Sequence, residues 1–221
     1  MKTSFLKKIV IISVLIGFAI VTDLMSSISF ISIRMPLGGK IFKISFIILF
    51  FSSVILGLKK GFIVCLFYAF FHAGKFLLNF SSFAKFFNFG LKEIFLSCFL
   101  DYLIPDILIC LAGMRSRKKE NKNKKIDFSI EKLLKLSFFI IFLRILFFLI
   151  SSYYVYCFKV SGQIDLSFSN IFFLKNLSYQ NRLSLFCFLY CFVPEMINCF
   201  IINLVIIFFH SQFKSISEKY N

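Results

Sequence analysis

GLKKGFIVCLFYAFFHAGKF (residues 57–76) and, after a short polar bend, LKEIFLSCFLDYLIPDILICLAG (residues 91–113) decide how this chain reads. Both are apolar runs long enough for a helix of membrane-crossing length. The first starts at a Lys59-Lys60 turn and carries small residues every fourth position: Gly57, Gly61, Cys65 and Ala69. Four-residue spacing puts them on one helical face, where backbones can approach closely. The second carries two carboxylates, Asp101 and Asp106, inside an otherwise apolar stretch. A carboxylate at membrane depth costs ~2.5–3.5 kcal/mol on insertion scales and marks a functional position by default.

Composition carries this reading to the whole chain. Of 221 residues, 59% are hydrophobic, against about 45–50% apolar in soluble domains, and the mean hydropathy is +0.89. The expected fold class is all-α: a single-domain polytopic membrane protein with six transmembrane helices. Phe dominates the aromatics, with 36 Phe and no Trp. Such a bias reflects base composition rather than chemistry, so single Phe residues carry little functional information. The net charge of +16 raises a nucleic-acid reading. The basic residues argue against it, because they sit in short loops between apolar runs, as the positive-inside rule expects. Seven cysteines lie mostly inside apolar runs without a CxxC pair. That is the pattern of small buried hydrophobes rather than of disulfides or metal ligands.

In chain order, a basic start (Lys2, Lys7, Lys8) leads into a first span at about 9–24. With no small-x-small cleavage site before a polar domain, it reads as a helix that stays in the membrane. Ser13 and Gly17 lie one turn apart on it, a face for close packing against another helix, within the bundle or outside it. A Ser-rich, semi-apolar loop follows at 26–40, suited to lying across the mouth of a bundle. Further spans are expected at about 41–58, 61–78, 94–113, 133–157 and 183–209, with an interfacial loop at 79–92 and a break at Pro194-Glu195. The turn at Lys59-Lys60 makes spans two and three antiparallel neighbours. The loop RSRKKENKNKK (115–125) sets seven basic residues against one acid and is the strongest cytoplasmic mark in the chain. Six spans then put both termini, Lys59-Lys60 and the 115–125 loop on the cytoplasmic side together.

The polar groups at membrane depth form the candidate substrate-binding set: Asp101, Tyr102, His72, Arg144 and Glu195, with Asp106 beside them. Arg144 is the one strong cation deep in a span, and two readings stay open for it: an ion pair with Glu195 or Asp106, or a ligand contact. His72 reads as an interfacial histidine or a ligand contact. Tyr102 either stacks on a ligand or reaches for the interface. A carboxylate left without a cation, among aromatics, suits a cationic organic ligand. No HExxH, GxSxG or Ser/His/Asp grouping is present, and no GxxxxGK[ST] loop for ATP, so the chain reads as a binding protein with no cofactor and no metal. Alternatives are an intramembrane enzyme using Asp101 and Asp106, or a ligand-free assembly subunit.

The order of motifs resembles a known family. MPLGG (35–39), GLKKG (57–61), FLDYLIP (99–105) with LAG (111–113), a basic loop, LR (143–144) with SS (151–152), and YCFVPE (190–195) together resemble the thiamine-specific substrate-binding subunit of energy-coupling-factor transporters. The resemblance implies a six-helix plasma-membrane subunit that binds a vitamin, a thiamine-like cation, near the outer face. Its implied partners are a transmembrane coupling subunit, docked on small residues at Ser13 and Gly17, and two cytoplasmic ATPase subunits. It also implies that Asp101 and Tyr102 contact the ligand. The chain departs from the family pattern at Phe148, where the family often has His, at Ser151-Ser152 for Ser-Gly, and at Cys65, Ala69 and His72 in span three.

Overall fold

The computed structural model describes residues 2–26, 40–87, 90–114, 129–157 and 178–220. Most of the 26–40 loop, the basic 115–125 loop and most of the 159–181 segment lie outside the described residues. The described chain is nearly all helical and holds no strand. Six helices follow in order: α1 (Lys2–Met25), α2 (Ile44–Leu56), α3 (Leu58–Phe87), α4 (Leu91–Gly113), α5 (Ile130–Ser151, extended by a π-helical turn, Ser152–Cys157) and α6 (Tyr179–Tyr220).

Five of them contain stretches long and apolar enough to cross a membrane: Leu6–Met25, Leu58–Leu78, Leu91–Gly113, Ile130–Tyr154 and Gln180–Gln212. Their outer faces carry bare aromatics and aliphatics, such as Val14, Phe18, Phe67, Phe70, Phe142 and Phe200. In water such a surface would aggregate, whereas hydrocarbon solvates it. The architecture is compatible with a polytopic membrane protein.

Several boundaries differ from expectation. α2 has only 13 residues and is ~20 Å long, short of a hydrocarbon core of ~30 Å. Nine of those residues are buried, so α2 is the helix around which α1, α3, α4 and α6 pack. Protein rather than lipid covers its sides, which removes the length requirement. α3 continues to Phe87, through the first part of the predicted interfacial loop. α6 runs unbroken past Pro194, against the expected interruption. A proline removes one backbone bond, but tertiary contacts hold the helix at that point. Cys191 Sγ lies 3.0 Å from Ser152 Oγ, and Glu195 is held by Arg144.

The small-residue face of α3 forms the tightest packing. Gly57, with φ of 79°, makes the turn between α2 and α3 in a backbone region that suits glycine. A side chain at Gly61 would meet Ser53 Cα at 2.8 Å, so α2 and α3 touch almost backbone to backbone. Gly113, at the other end of the quoted stretch, abuts the turn itself: its Cβ would stand 2.6 Å from the Gly57 carbonyl carbon. Cys65 and Ala69, further along the stripe, are fully buried.

Candidate functional site

Four of the polar residues singled out in the sequence meet in one chain of contacts across α3, α4, α5 and α6. Arg144 on α5 is completely buried. Its Nε and Nη2 donate to Glu195 Oε2 and Oε1 of α6 at 3.0 and 3.1 Å, a two-pronged pair. Its Nη1 donates to the Pro105 carbonyl at 2.7 Å and reaches Asp106 Oδ1 at 3.4 Å. The guanidinium also lies 4.4 Å from the Phe46 ring centre and 5.3 Å from that of Phe148. Asp106 Oδ2 then accepts from His72 Nδ1 at 2.6 Å. Of the readings open for Arg144, the structure shows the ion pair, and with both acids at once. His72 is buried inside the bundle. Breaking one partner of such a buried pair costs about 3–5 kcal/mol, because it leaves a charge uncompensated.

Asp101 and Tyr102 stand next to this network under different local geometry. α4 is not one continuous α-helix. It is α-helical over Leu91–Ser97, π-helical over Cys98–Leu103, α-helical again over Ile104–Leu108, and 3-10 over Ile109–Gly113. The cause is legible in Pro105: its ring nitrogen has no hydrogen for the carbonyl four residues back, which belongs to Asp101. A π-helical turn absorbs the mismatch, and such turns recur at functional sites. The Pro105 carbonyl turns out of the helical ladder far enough to receive Arg144.

The Asp101 carboxylate takes one hydrogen bond, from Ser97 Oγ at 2.6 Å. It makes no ion pair among the described residues. Ser151 of α5 approaches the same carboxylate, yet its buried Oγ closes no hydrogen bond among the described residues. The Tyr102 ring stacks on Phe76 at 4.4 Å and meets the His72 ring edge-on at 4.7 Å. Asp101 and Asp106 thus sit five residues apart with wholly different partners.

A second ionic group, around Asp23, was not singled out in the sequence. In the structure Asp23 is fully buried. Lys75 Nζ of α3 donates to its Oδ2 at 2.5 Å, and Lys40 Nζ lies 3.6 Å from its Oδ1. Lys40 also reaches the Asp23 carbonyl at 3.3 Å and Ser26 Oγ at 3.0 Å. The available signal was a carboxylate at a span end with lysines at the ends of two later segments.

Ser13 and Gly17 lie on the outer face of α1, both exposed, and nothing stands within 4 Å of where a Gly17 Cβ would be. They do not pack within this bundle. Six cysteines (Cys65, Cys98, Cys110, Cys187, Cys191 and Cys199) are buried free thiols. Among the described residues no group of three His, Cys, Asp or Glu is arranged to hold a metal. No family model matches the chain, and neither does any curated protein.

Proposed function

We propose that this protein is the substrate-binding membrane subunit of an energy-coupled vitamin importer, for thiamine or a related precursor. The observation that carries the reading is the pair Asp101–Tyr102. Its carboxylate is held by a hydroxyl alone, with a second hydroxyl close by and aromatic rings at its side. A cationic heterocycle with an exocyclic amine supplies what that carboxylate lacks: a positive charge and an N–H donor. The neighbouring Arg144 network is already paired, so it serves as the wall that fixes α4 against α5 and α6. His72 links that wall to Tyr102 and completes the lining.

In this reading both termini face the cytoplasm of a plasma-membrane protein. The bundle itself performs no chemistry. It binds the vitamin and presents it by tilting while docked to a transmembrane coupling subunit and two ATPase subunits. The exposed Ser13/Gly17 face of α1 supports such docking, since a small-residue face free of intramolecular contacts can receive another helix closely. The motif order quoted above is the other support.

The test is thiamine binding to the purified protein by isothermal titration, beside Asp101→Asn. Binding that the variant loses, with unchanged thermal stability, supports the reading. Binding of another vitamin instead keeps the architecture and changes the substrate. No binding across a panel of vitamins sinks it.

A further inference from the structure

Ser151 carries a buried hydroxyl that the ionic wall does not use. Inside an apolar helix such a hydroxyl ordinarily bonds a carbonyl one turn back or a group on a neighbouring helix. Its counterparts here do so. Thr22 donates to the Phe18 and Ala19 carbonyls, Ser53 to the Leu49 carbonyl and Ser137 to the Leu134 carbonyl, and Ser45 meets the Tyr68 hydroxyl. Among the described residues, Ser52 and Ser151 are the two serines whose buried Oγ closes no hydrogen bond. A buried polar atom of this kind calls for a reason. For Ser151 the surroundings supply one. It is fully buried and ends the α-helical stretch of α5, and the π-helical turn begins at Ser152. Ser152 is already engaged, 3.0 Å from Cys191 Sγ of α6. Ser151 instead approaches Asp101, which lies in the π-helical turn of α4. That turn packs against α5, and the π-helical turn of α5 packs against Leu91–Ser97. Two adjoining helices thus leave α geometry where Ser97, Asp101 and Ser151 converge. Pro105 accounts for the departure in α4, whereas α5 contains no proline. Turns of this type recur at functional sites.

We propose that Ser151 is a specificity-determining residue: its hydroxyl donates to a ring nitrogen of the ligand whose neighbouring N–H goes to Asp101. This rests on the importer reading and names its substrate class more narrowly. Ser97 Oγ occupies Asp101 Oδ2 at 2.6 Å. Asp101 Oδ1 takes no hydrogen bond among the described residues and remains an acceptor. An acceptor beside a hydroxyl donor complements a flat edge with an N–H next to a bare ring nitrogen, as in an aminopyrimidine. A quaternary cation would satisfy the carboxylate but has no lone pair for Ser151. With no water at this depth to stand in, the hydroxyl discriminates between the two.

The experiment titrates the full-length, detergent-purified protein with three compounds: thiamine, the free aminopyrimidine half of thiamine, and choline, a cation without such an edge. It uses the wild type, Ser151→Ala and Ser152→Ala, and records the melting temperature of each without ligand. The wild type should bind the aminopyrimidine in preference to choline. Ser151→Ala should weaken binding of thiamine and of the aminopyrimidine by about 3- to 10-fold, one neutral hydrogen bond's worth. Its ligand-free melting temperature should hold or rise, because no hydrogen bond within the protein is lost. Ser152→Ala, whose hydroxyl meets α6, should leave both affinities unchanged. Unchanged thiamine affinity in Ser151→Ala overturns the inference and leaves the importer reading standing. A lowered ligand-free melting temperature in Ser151→Ala also overturns it, assigning the hydroxyl to the support of Asp101. Choline binding as tight as that of the aminopyrimidine overturns it without any variant, because the site then reads charge alone. If none of the three compounds binds, the importer reading falls with it.

Discussion

Asp106 and Asp101 lie on the same helix, five residues apart, and the protein treats them oppositely. Asp106 is saturated: His72 takes one oxygen, and Arg144 stands at the other. Asp101 has a single hydroxyl donor and a nearby serine that does not quite reach. Asp101 lies in the π-helical turn and Asp106 in the α-helical stretch that follows, and this change of helical pitch directs the two carboxylates to different neighbours. A paired buried charge holds helices in place. An under-partnered one keeps room for a further donor, which on the importer reading the ligand supplies.

Removing the cation from the wall should have the largest effect. Arg144→Met leaves Glu195 and Asp106 buried without a counter-charge. It should destabilise the protein by about 3–5 kcal/mol, seen as lost monodisperse protein on size exclusion. A double change of Arg144→Met with Glu195→Gln should recover part of the loss. If Arg144→Met is tolerated as well as Asp101→Asn, the contrast between the two carboxylates fails.

Asp101→Asn comes next and should invert the pattern. On the importer reading it should weaken thiamine binding by about 10- to 150-fold, as loss of a charged hydrogen-bond acceptor does, with the melting temperature nearly unmoved. Calorimetric titration and thermal scanning on the same sample check both halves.

Two glycines sharpen the distinction between interior and exterior. Gly113→Ala drives a methyl into the Gly57 backbone and should cost about 1–3 kcal/mol, measured as a lower melting temperature in detergent. Gly17→Ala has open space around it and should leave stability unchanged. On the importer reading, Gly17→Leu should reduce co-purification of a tagged coupling subunit.

The smallest effect concerns pH. Lys40 titrates at about 8 in the folded protein, below its ordinary 10.5. A lysine depressed by folding binds more protons when unfolded, across the interval between those two values. Stability should therefore be flat in this respect below pH 8 and rise as pH climbs from 8 towards 10.5. Melting curves of the wild type and Lys40→Met across that range check the sign, and the variant should lose the rise.

The sequence made the helical order legible, because an apolar run of membrane length leaves the backbone few alternatives. The tight face of α3 was also legible, since Gly57, Gly61, Cys65 and Ala69 keep a four-residue period. The short α2 was not, because its length is set by neighbours that shield it and hydropathy does not register shielding. Pro194 misled for a related reason: the contact of Glu195 with Arg144 spans 51 residues, and no local rule weighs it. The partners of Arg144 were narrowed to two acids but not to both. Asp23 was passed over because its lysines come from α3 and from the segment before α2.

The brevity of α2 has a further consequence. Its first turn stands level with Tyr68, whose hydroxyl bonds Ser45 Oγ at 2.8 Å. α3 climbs about five more turns past that point, and α1 continues to its own contact with Lys75. The central helix therefore ends inside the bundle, like a piston stopped below the rim of its cylinder. Of the amides at its N-terminus, the Lys43 N–H is taken by Asn198 Oδ1 and the Phe46 N–H by the Lys43 carbonyl, and the helix dipole adds roughly half a positive charge at that end. That truncated axis gives the bundle a floor with a polarity of its own.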